Sequence, residues 1–166
     1  MTERTAAQPA ARGSSSFSRG TELLRLVSVR RPELRGTRMF VPELVLRVAC
    51  AVLLAYIGWV HWVLWHTEGY HFIRIDGPFF LVDAIAGIVL ALVLLAWPRP
   101  LVGLASAGFV AGTILALVVS LTVGLFGFNE SISAHYVVLA LVVESITVVL
   151  LLAWTVIAAW AVPRRR

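Results

Sequence analysis

The sequence predicts an all-α integral membrane protein: a four-helix up-down bundle that follows a disordered, basic N-terminal tail. Hydrophobic residues make up 60% of the 166 positions and charged residues 14%. The mean hydropathy of +0.90 lies well above that of soluble domains. Four apolar segments each reach the ~20 residues that cross a hydrocarbon core about 30 Å thick. Because lipid offers no hydrogen-bond partners, each segment must be a helix.

Residues 1–40 are predicted to form a disordered and juxtamembrane tail. The first twenty residues are small and polar and cannot bury enough apolar surface to fold. Thr21 can cap a short helix that lies on anionic headgroups, and a simply solvated basic segment is the alternative. Met39 directly precedes the apolar stretch FVPELVLRV, so both Met1 and Met39 are candidate start sites.

Residues 41–163 are predicted to be a four-transmembrane-helix domain, and residues 164–166 a basic cytoplasmic end. The expected spans are about 44–64, 79–97, 101–126 and 136–162. Pro42 and Pro78 suit the first turns of the first and second helices, where a missing N–H is harmless. Pro98 and Pro100 predict a tight turn that makes the second and third helices antiparallel neighbours.

Small residues recur every four positions in the two central spans and predict close helix packing. These stripes are Asp83, Gly87 and Ala91 in the second span, and Gly108, Gly112 and Ala116 in the third. Tryptophans gather near both ends of the spans, which predicts interfacial belts. The belt residues are Trp59, Trp62 and Trp65 at one end, and Trp97, Trp154 and Trp160 at the other.

The arginines are placed asymmetrically along a chain that has no lysine. Only Arg74, of the fourteen arginines, falls on the side opposite the tail. The positive-inside rule therefore predicts cytoplasmic N- and C-termini, with the first and third connections outside. Arginines placed in this way indicate a membrane surface rather than nucleic acid as the partner.

Several chemistries are excluded by what the sequence lacks. The single cysteine, Cys50, allows neither an intramolecular disulfide nor a CxxC redox pair. No GxSxG and no phosphate-binding glycine loop occurs, so a hydrolytic enzyme is not expected.

Polar residues inside the spans are the candidate functional residues. His61 and Asp83 are each expected about 6 Å below the outer ends of their helices, and Glu144 about 12 Å below. Because an acid near the bilayer centre costs on the order of 2.5 to 3.5 kcal/mol, these side chains should face the bundle interior. We expect them to share one polar pocket with His135, which comes from the connection between the third and fourth spans. The hydroxyls expected nearby are those of Ser120, Thr122 and Ser145.

Several uses of this pocket were compared. Nitrogen and oxygen ligands suit zinc, but His61, His66 and His71 are five residues apart and point away from one another on a helix. A haem held by His61 and His135 would need further histidines near the inner face to carry electrons across. We therefore expect no metal and no other cofactor. Proton or quinone handling through Glu144 and a purely structural polar cluster both remain open.

Three stretches resemble a group of small four-helix integral membrane proteins of actinobacteria that have no assigned activity. They are AYIGWVHWVLWHTEGYHFIRIDGPFFLVDAIAGIVLALVLL, GLFGFNES and LVVESITVVLLLAW. The resemblance covers roughly residues 44–155 and implies a bacterial plasma membrane. It carries over no catalytic residues.

The sequence thus favours a structural or accessory subunit that packs against itself or a larger membrane complex. The alternative is a proton-coupled transporter, or a quinone- or redox-linked subunit, that uses the pocket. These two hypotheses differ in whether His61, Asp83 and Glu144 converge on a cavity.

The arginine asymmetry generates a first prediction, which concerns topology. Reporter fusions at both ends of the chain should report a cytoplasmic location, and fusions within residues 66–78 an external one. An external C-terminus would overturn the predicted orientation of every span.

Overall fold

The computed structural model describes residues 37–127, 129–134 and 136–160, which contain four long helices. These are α1 (Thr37–His66), α2 (Asp76–Ala96), α3 (Pro100–Thr122) and α4 (Val137–Trp160), with a 3₁₀ turn at Tyr70–Phe72. Each of the four is long and apolar enough to cross a membrane. The predicted fold class is therefore confirmed. The predicted tail up to residue 36, the residues from 161 onward and His135 lie outside the described residues.

Two helix boundaries, the start of α1 and the end of α3, differ from the predicted ones by about a turn or more. Pro42 lies inside α1 rather than in its first turn, because the helix already includes Thr37. One missing N–H there leaves the rest of the helical hydrogen bonds in place. At the other boundary, α3 ends at Thr122 instead of continuing to residue 126. Gly124 takes a positive φ of 84° and donates its N–H to Val119 O at 3.0 Å, an arrangement that terminates helices.

The helices form two hairpins that dock on each other. In the first hairpin α1 packs on α2, in the second α3 packs on α4, and α1 joins the two through contacts with α4. Pro100 begins α3, as the predicted tight turn requires, yet α2 and α3 contact each other only sparsely. The bundle is consequently closed on three sides and loosely packed along the fourth, between α2 and α3. We call the end that carries connections 67–75 and 123–136 the long-loop end, and the end that carries residues 97–99 the turn end.

Glycines set the spacing of the first hairpin. A Cβ placed on Gly87 would lie 2.9 Å from the Gly58 Cα and 2.9 Å from Leu54 O. A Cβ on Gly58 would in turn lie 2.7 Å from Ala84 O. The backbones of α1 and α2 therefore touch, as small-residue packing in membranes allows. Gly87 and Ala91 are both buried, so the packing role predicted for the α2 stripe is confirmed.

A buried tryptophan closes the turn end. Trp154 of α4 is fully buried, and its indole Nε1 donates to Glu43 Oε1 of α1 at 2.8 Å. A Cβ on Gly103 of α3 would overlap the Trp154 ring, so α3 also lies directly against it. The prediction of an interfacial position for Trp154 is therefore wrong. Its ring fills the core, and its N–H has a protein partner in place of water. Four of the other tryptophans predicted to form the belts are exposed, as an interfacial position requires: Trp59, Trp62, Trp97 and Trp160.

The glycines of the α3 stripe make no close helix contact within the described residues. Gly108 and Gly112 are exposed, and nothing lies within 4 Å of a Cβ placed on either. α3 instead turns its other face to the bundle, because Gly103, Ala107 and Val110 are the small and apolar residues buried there. Gly108 and Gly112 thus lie on the outer surface of the bundle, whereas Ala116, the third residue of the stripe, is partly buried.

The contrast between the two stripes generates a second prediction. Gly87→Ala should destabilise the protein by about 1–3 kcal/mol, because the added methyl group overpacks a backbone contact. The matched control is Gly112→Ala, which fills open space and should be neutral or gain up to about 1 kcal/mol of helix propensity. Denaturant unfolding of both variants in the same micelles measures the difference. Equal stability would show that α1 and α2 are not in backbone contact.

Candidate functional site

A cavity of about 100 Å³ lies inside the bundle at the long-loop end. All four helices contribute side chains to it, and the two long connections contribute Tyr70 and Glu130. His61, Asp83 and Glu144 all line this single cavity. They come from α1, α2 and α4, so residues far apart in the sequence meet as the pocket hypothesis expects.

His61 and Asp83 face each other across the first hairpin. His61 Nε2 lies 3.9 Å from Asp83 Oδ2, too far for a direct hydrogen bond but close enough for electrostatic attraction when the ring is charged. The other ring nitrogen, Nδ1, is 2.9 Å from Ile57 O. Because a carbonyl oxygen only accepts, Nδ1 carries a proton and Nε2 is the atom that can gain or lose one. The geometry therefore aims the exchangeable nitrogen of His61 at a carboxyl group.

Glu144 is the most deeply buried acid of the cavity. Only 2% of its surface is exposed, and its Oε2 has no hydrogen-bond partner among the described residues. Thr113 interacts with its carboxyl group, and Asp83 is close enough to act on it electrostatically. The Thr113 hydroxyl also lies 2.8 Å from Val110 O, so its one hydrogen is shared between this helix carbonyl and the Glu144 carboxyl group.

Asp76 is a cavity residue that the sequence analysis did not identify. It is the first residue of α2 and only 4% exposed. Its Oδ1 has no hydrogen-bond partner within the described part of the chain. The sequence did contain a signal, since an acid directly before Gly77 and Pro78 is typical of a helix N-terminus.

The two long connections are tied together above the cavity. The Tyr70 hydroxyl donates to Glu130 Oε2 at 2.5 Å, and Glu130 Oε1 accepts the Ser131 N–H at 3.0 Å. Nearby, the rings of Phe79 and Phe126 stack 5.9 Å apart. Each contact joins the first hairpin to the connection between α3 and α4, and so bridges the side where α2 and α3 are loosely packed.

Only some of the other predicted polar residues reach the cavity. Of the three predicted hydroxyls, Ser120 lines it, whereas Thr122 and Ser145 are exposed and point elsewhere. Thr113 also lines the cavity and was not predicted. The interpretation of these last two as pocket residues is wrong, because they lie on helix faces that turn away from the bundle. His66 is exposed and stacks on Trp62, with the ring centroids 5.5 Å apart.

The acids of the cavity are distributed around its wall. Within residues 37–127, 129–134 and 136–160, no three side chains of the types His, Cys, Asp and Glu are placed to hold one metal ion. His135 lies outside these residues, so the haem geometry that pairs it with His61 is not described. No arginine is among the described residues that line the cavity.

Comparison with protein-family models, curated proteins and solved structures gives no match.

The tie between the long connections generates a third prediction. Burial raises the pKa of the Tyr70 phenol above its ordinary value, and the hydrogen bond and negative charge of Glu130 raise it further. A spectrophotometric difference titration of wild type against Tyr70→Phe should show Tyr70 ionising above the usual pH of about 10. Since the folded state holds this proton more tightly, the stability it contributes is fully present below about pH 10 and declines above it.

Glu130→Gln supplies the control for this titration. It removes the charge beside Tyr70 while keeping the side-chain size, so the Tyr70 pKa should fall toward its ordinary value. A wild-type Tyr70 that titrates like a free tyrosine would show that the two connections are not joined in solution.

Proposed function

We propose that this chain is a multi-pass protein of the bacterial plasma membrane that couples proton movement to the movement of a small solute through the cavity. Four apolar helices support the membrane location. The arginine asymmetry supports cytoplasmic termini, which puts the long-loop end at the outer face. The resemblance to small actinobacterial membrane proteins supports a bacterial host.

The convergence of His61, Asp83 and Glu144 on one cavity is the observation that carries this proposal. Ionisable side chains inside a membrane are rare because they are costly, and they mark proton relays and ion pathways. A cavity of about 100 Å³ has room for about three waters at ~30 Å³ each, and these waters can connect the three groups. Glu144 Oε2 has no protein partner in the described part of the chain, which leaves this oxygen available to such waters or to a solute.

The volume of the cavity favours a transporter over a quinone- or redox-linked subunit. An engineered protein cavity of about 150 Å³ holds one benzene molecule. A substituted quinone ring is larger than benzene, whereas this cavity is about 100 Å³. The solute should therefore be smaller than a quinone.

A structural or accessory subunit is the second candidate function, and the exposed α3 stripe favours it. Gly108 and Gly112 present a smooth outer surface on which a second helix can pack closely. Such a helix can belong to another copy of this chain or to a larger membrane complex. This function does not require Glu144 to exchange a proton, so one experiment distinguishes the two candidates.

The experiment is the fourth prediction and uses Glu144→Gln in sealed proteoliposomes. Wild-type protein should move protons when a small solute is supplied on one side of the membrane, with ammonium, alkali-metal ions and small neutral solutes tried in turn, as a pH-sensitive dye in the vesicle lumen reports. Glu144→Gln should reduce this movement to the background of protein-free vesicles, because an amide keeps the size of the side chain but cannot exchange a proton. Thermal unfolding of the same preparation should show that the bundle remains folded.

Ser145→Ala is the matched control for this variant. Ser145 is the next residue on α4 but is exposed on its outer surface, so its removal should leave proton movement at the wild-type level. Unchanged proton movement in Glu144→Gln would refute the transport proposal. If wild-type protein moves no protons and Glu144→Gln keeps both its stability and its co-purifying proteins, the accessory function is favoured.

A further inference from the structure

We infer that the solute of the cavity is a small protonated amine, of the size of ammonium or methylammonium, which exchanges with a proton. This inference rests on the proposed function and adds the chemical class of the solute.

The charge of the cavity selects a cation. Among the described residues, four carboxyl groups line the cavity against one histidine and no arginine: Asp76, Asp83, Glu130 and Glu144. Glu130 accepts the Tyr70 hydrogen bond, and Asp83 faces His61. Asp76 and Glu144 remain, each more than nine-tenths buried and each with one carboxyl oxygen that lacks a partner among the described residues. A buried carboxyl oxygen of this kind needs a hydrogen-bond donor, and a cationic donor satisfies it most strongly.

The arrangement of the acids selects an ammonium-type cation over a metal ion. The described residues hold no group of three candidate ligands close enough to share a metal ion. Asp76 and Asp83 lie on one face of α2, seven residues or about 10.5 Å apart along the axis. An ammonium group needs only separate hydrogen-bond acceptors, since its N–H groups point in different directions. Asp76 lies in the first turn of α2, at the long-loop end, and Asp83 lies about two turns further along the helix.

The walls and the volume restrict the size of the amine. Phe80 lies in the wall with its ring 4.6 Å from that of Tyr70 and 5.6 Å from that of His61. Aromatic faces attract ammonium groups and also pack against methyl groups. At about 100 Å³, the cavity suits a ligand of a few non-hydrogen atoms, because about 150 Å³ is needed for the six carbons of benzene. Tetramethylammonium, which has no N–H donor, should not bind.

Exchange with a proton follows from the burial of Glu144. A carboxyl group this deep in a bilayer is costly as an isolated anion, so either a proton or a bound cation must neutralise it. Entry of one ammonium ion therefore releases one proton, and the charge of the cavity is conserved. The titratable groups that face the cavity from the packed elements are His61, Tyr70, Asp76, Asp83, Glu130, Tyr136 and Glu144, while α3 contributes only hydroxyls.

The inference is tested by calorimetric titration of the full chain in lipid nanodiscs with methylammonium chloride. Potassium chloride is the charge control and tetramethylammonium chloride the donor control. Methylammonium should bind and neither control should do so. Repeating the titration in buffers of different ionisation enthalpy should show release of about one proton per amine bound. Affinity should then rise with pH by at most about tenfold per unit.

Two variants give the expected loss of binding. Glu144→Gln and Asp76→Asn should each weaken methylammonium binding by roughly tenfold to a hundredfold, the usual effect of losing a hydrogen bond to a charged group. Ser145→Ala should bind as wild type does. The comparison of the three salts needs no variant, so the test holds even if one variant fails to fold.

The outcomes separate this inference from the proposed function. Equal binding of potassium, or no binding of methylammonium while Glu144-dependent proton movement persists, would overturn the amine inference and leave proton transport standing. Methylammonium binding with proton release, in protein that moves no protons across vesicles, would support the amine inference and refute the transport proposal.

Discussion

The backbone contact between Gly58 and Gly87 is the constraint on which the candidate site depends. His61 follows Gly58 by about one turn of α1, and Asp83 precedes Gly87 by about one turn of α2. In an antiparallel pair these positions face each other, so the contact that brings the backbones together also brings imidazole and carboxyl within 3.9 Å. A larger residue at either glycine would separate the helices and the two side chains with them.

Packing is distributed unevenly along the bundle, and this unevenness makes room for the cavity. At the turn end, Trp154 fills the centre and binds Glu43, while Gly103 lets α3 lie against its ring. At the long-loop end no comparable side chain fills the centre, and α2 and α3 diverge enough to leave about 100 Å³ open. A well-packed end therefore supports a polar, open end, which is a common arrangement for sites inside helical bundles.

Sequence patterns predicted the four helices well because hydropathy and the absence of hydrogen-bond partners in lipid leave little choice of structure. The inward position of His61, Asp83 and Glu144 was predictable because exposing an ionisable side chain to lipid costs several kcal/mol of free energy. The orientation of α3 was not predictable from the sequence, because small residues lie on more than one of its faces. Contact with α4 decides that the face with Gly103 is buried and the face with Gly108 is exposed. The wrong prediction for Trp154 has a similar cause, because an indole near a helix end suits a membrane interface and a packed core equally well. The partnership of Tyr70 with Glu130 joins residues 60 positions apart and leaves no periodic signal.

The two-hairpin arrangement also has a consequence for how the protein assembles during biosynthesis. Most helix contacts lie within α1–α2 and within α3–α4, which are neighbours in the chain. Contacts between sequence neighbours form early because little loop entropy is lost in making them. Each hairpin can therefore form as it enters the bilayer, with His61 and Asp83 in the first and Thr113 and Glu144 in the second. The cavity comes into existence only when α1 docks on α4, so a chain caught before that step is inserted and helical but has no site.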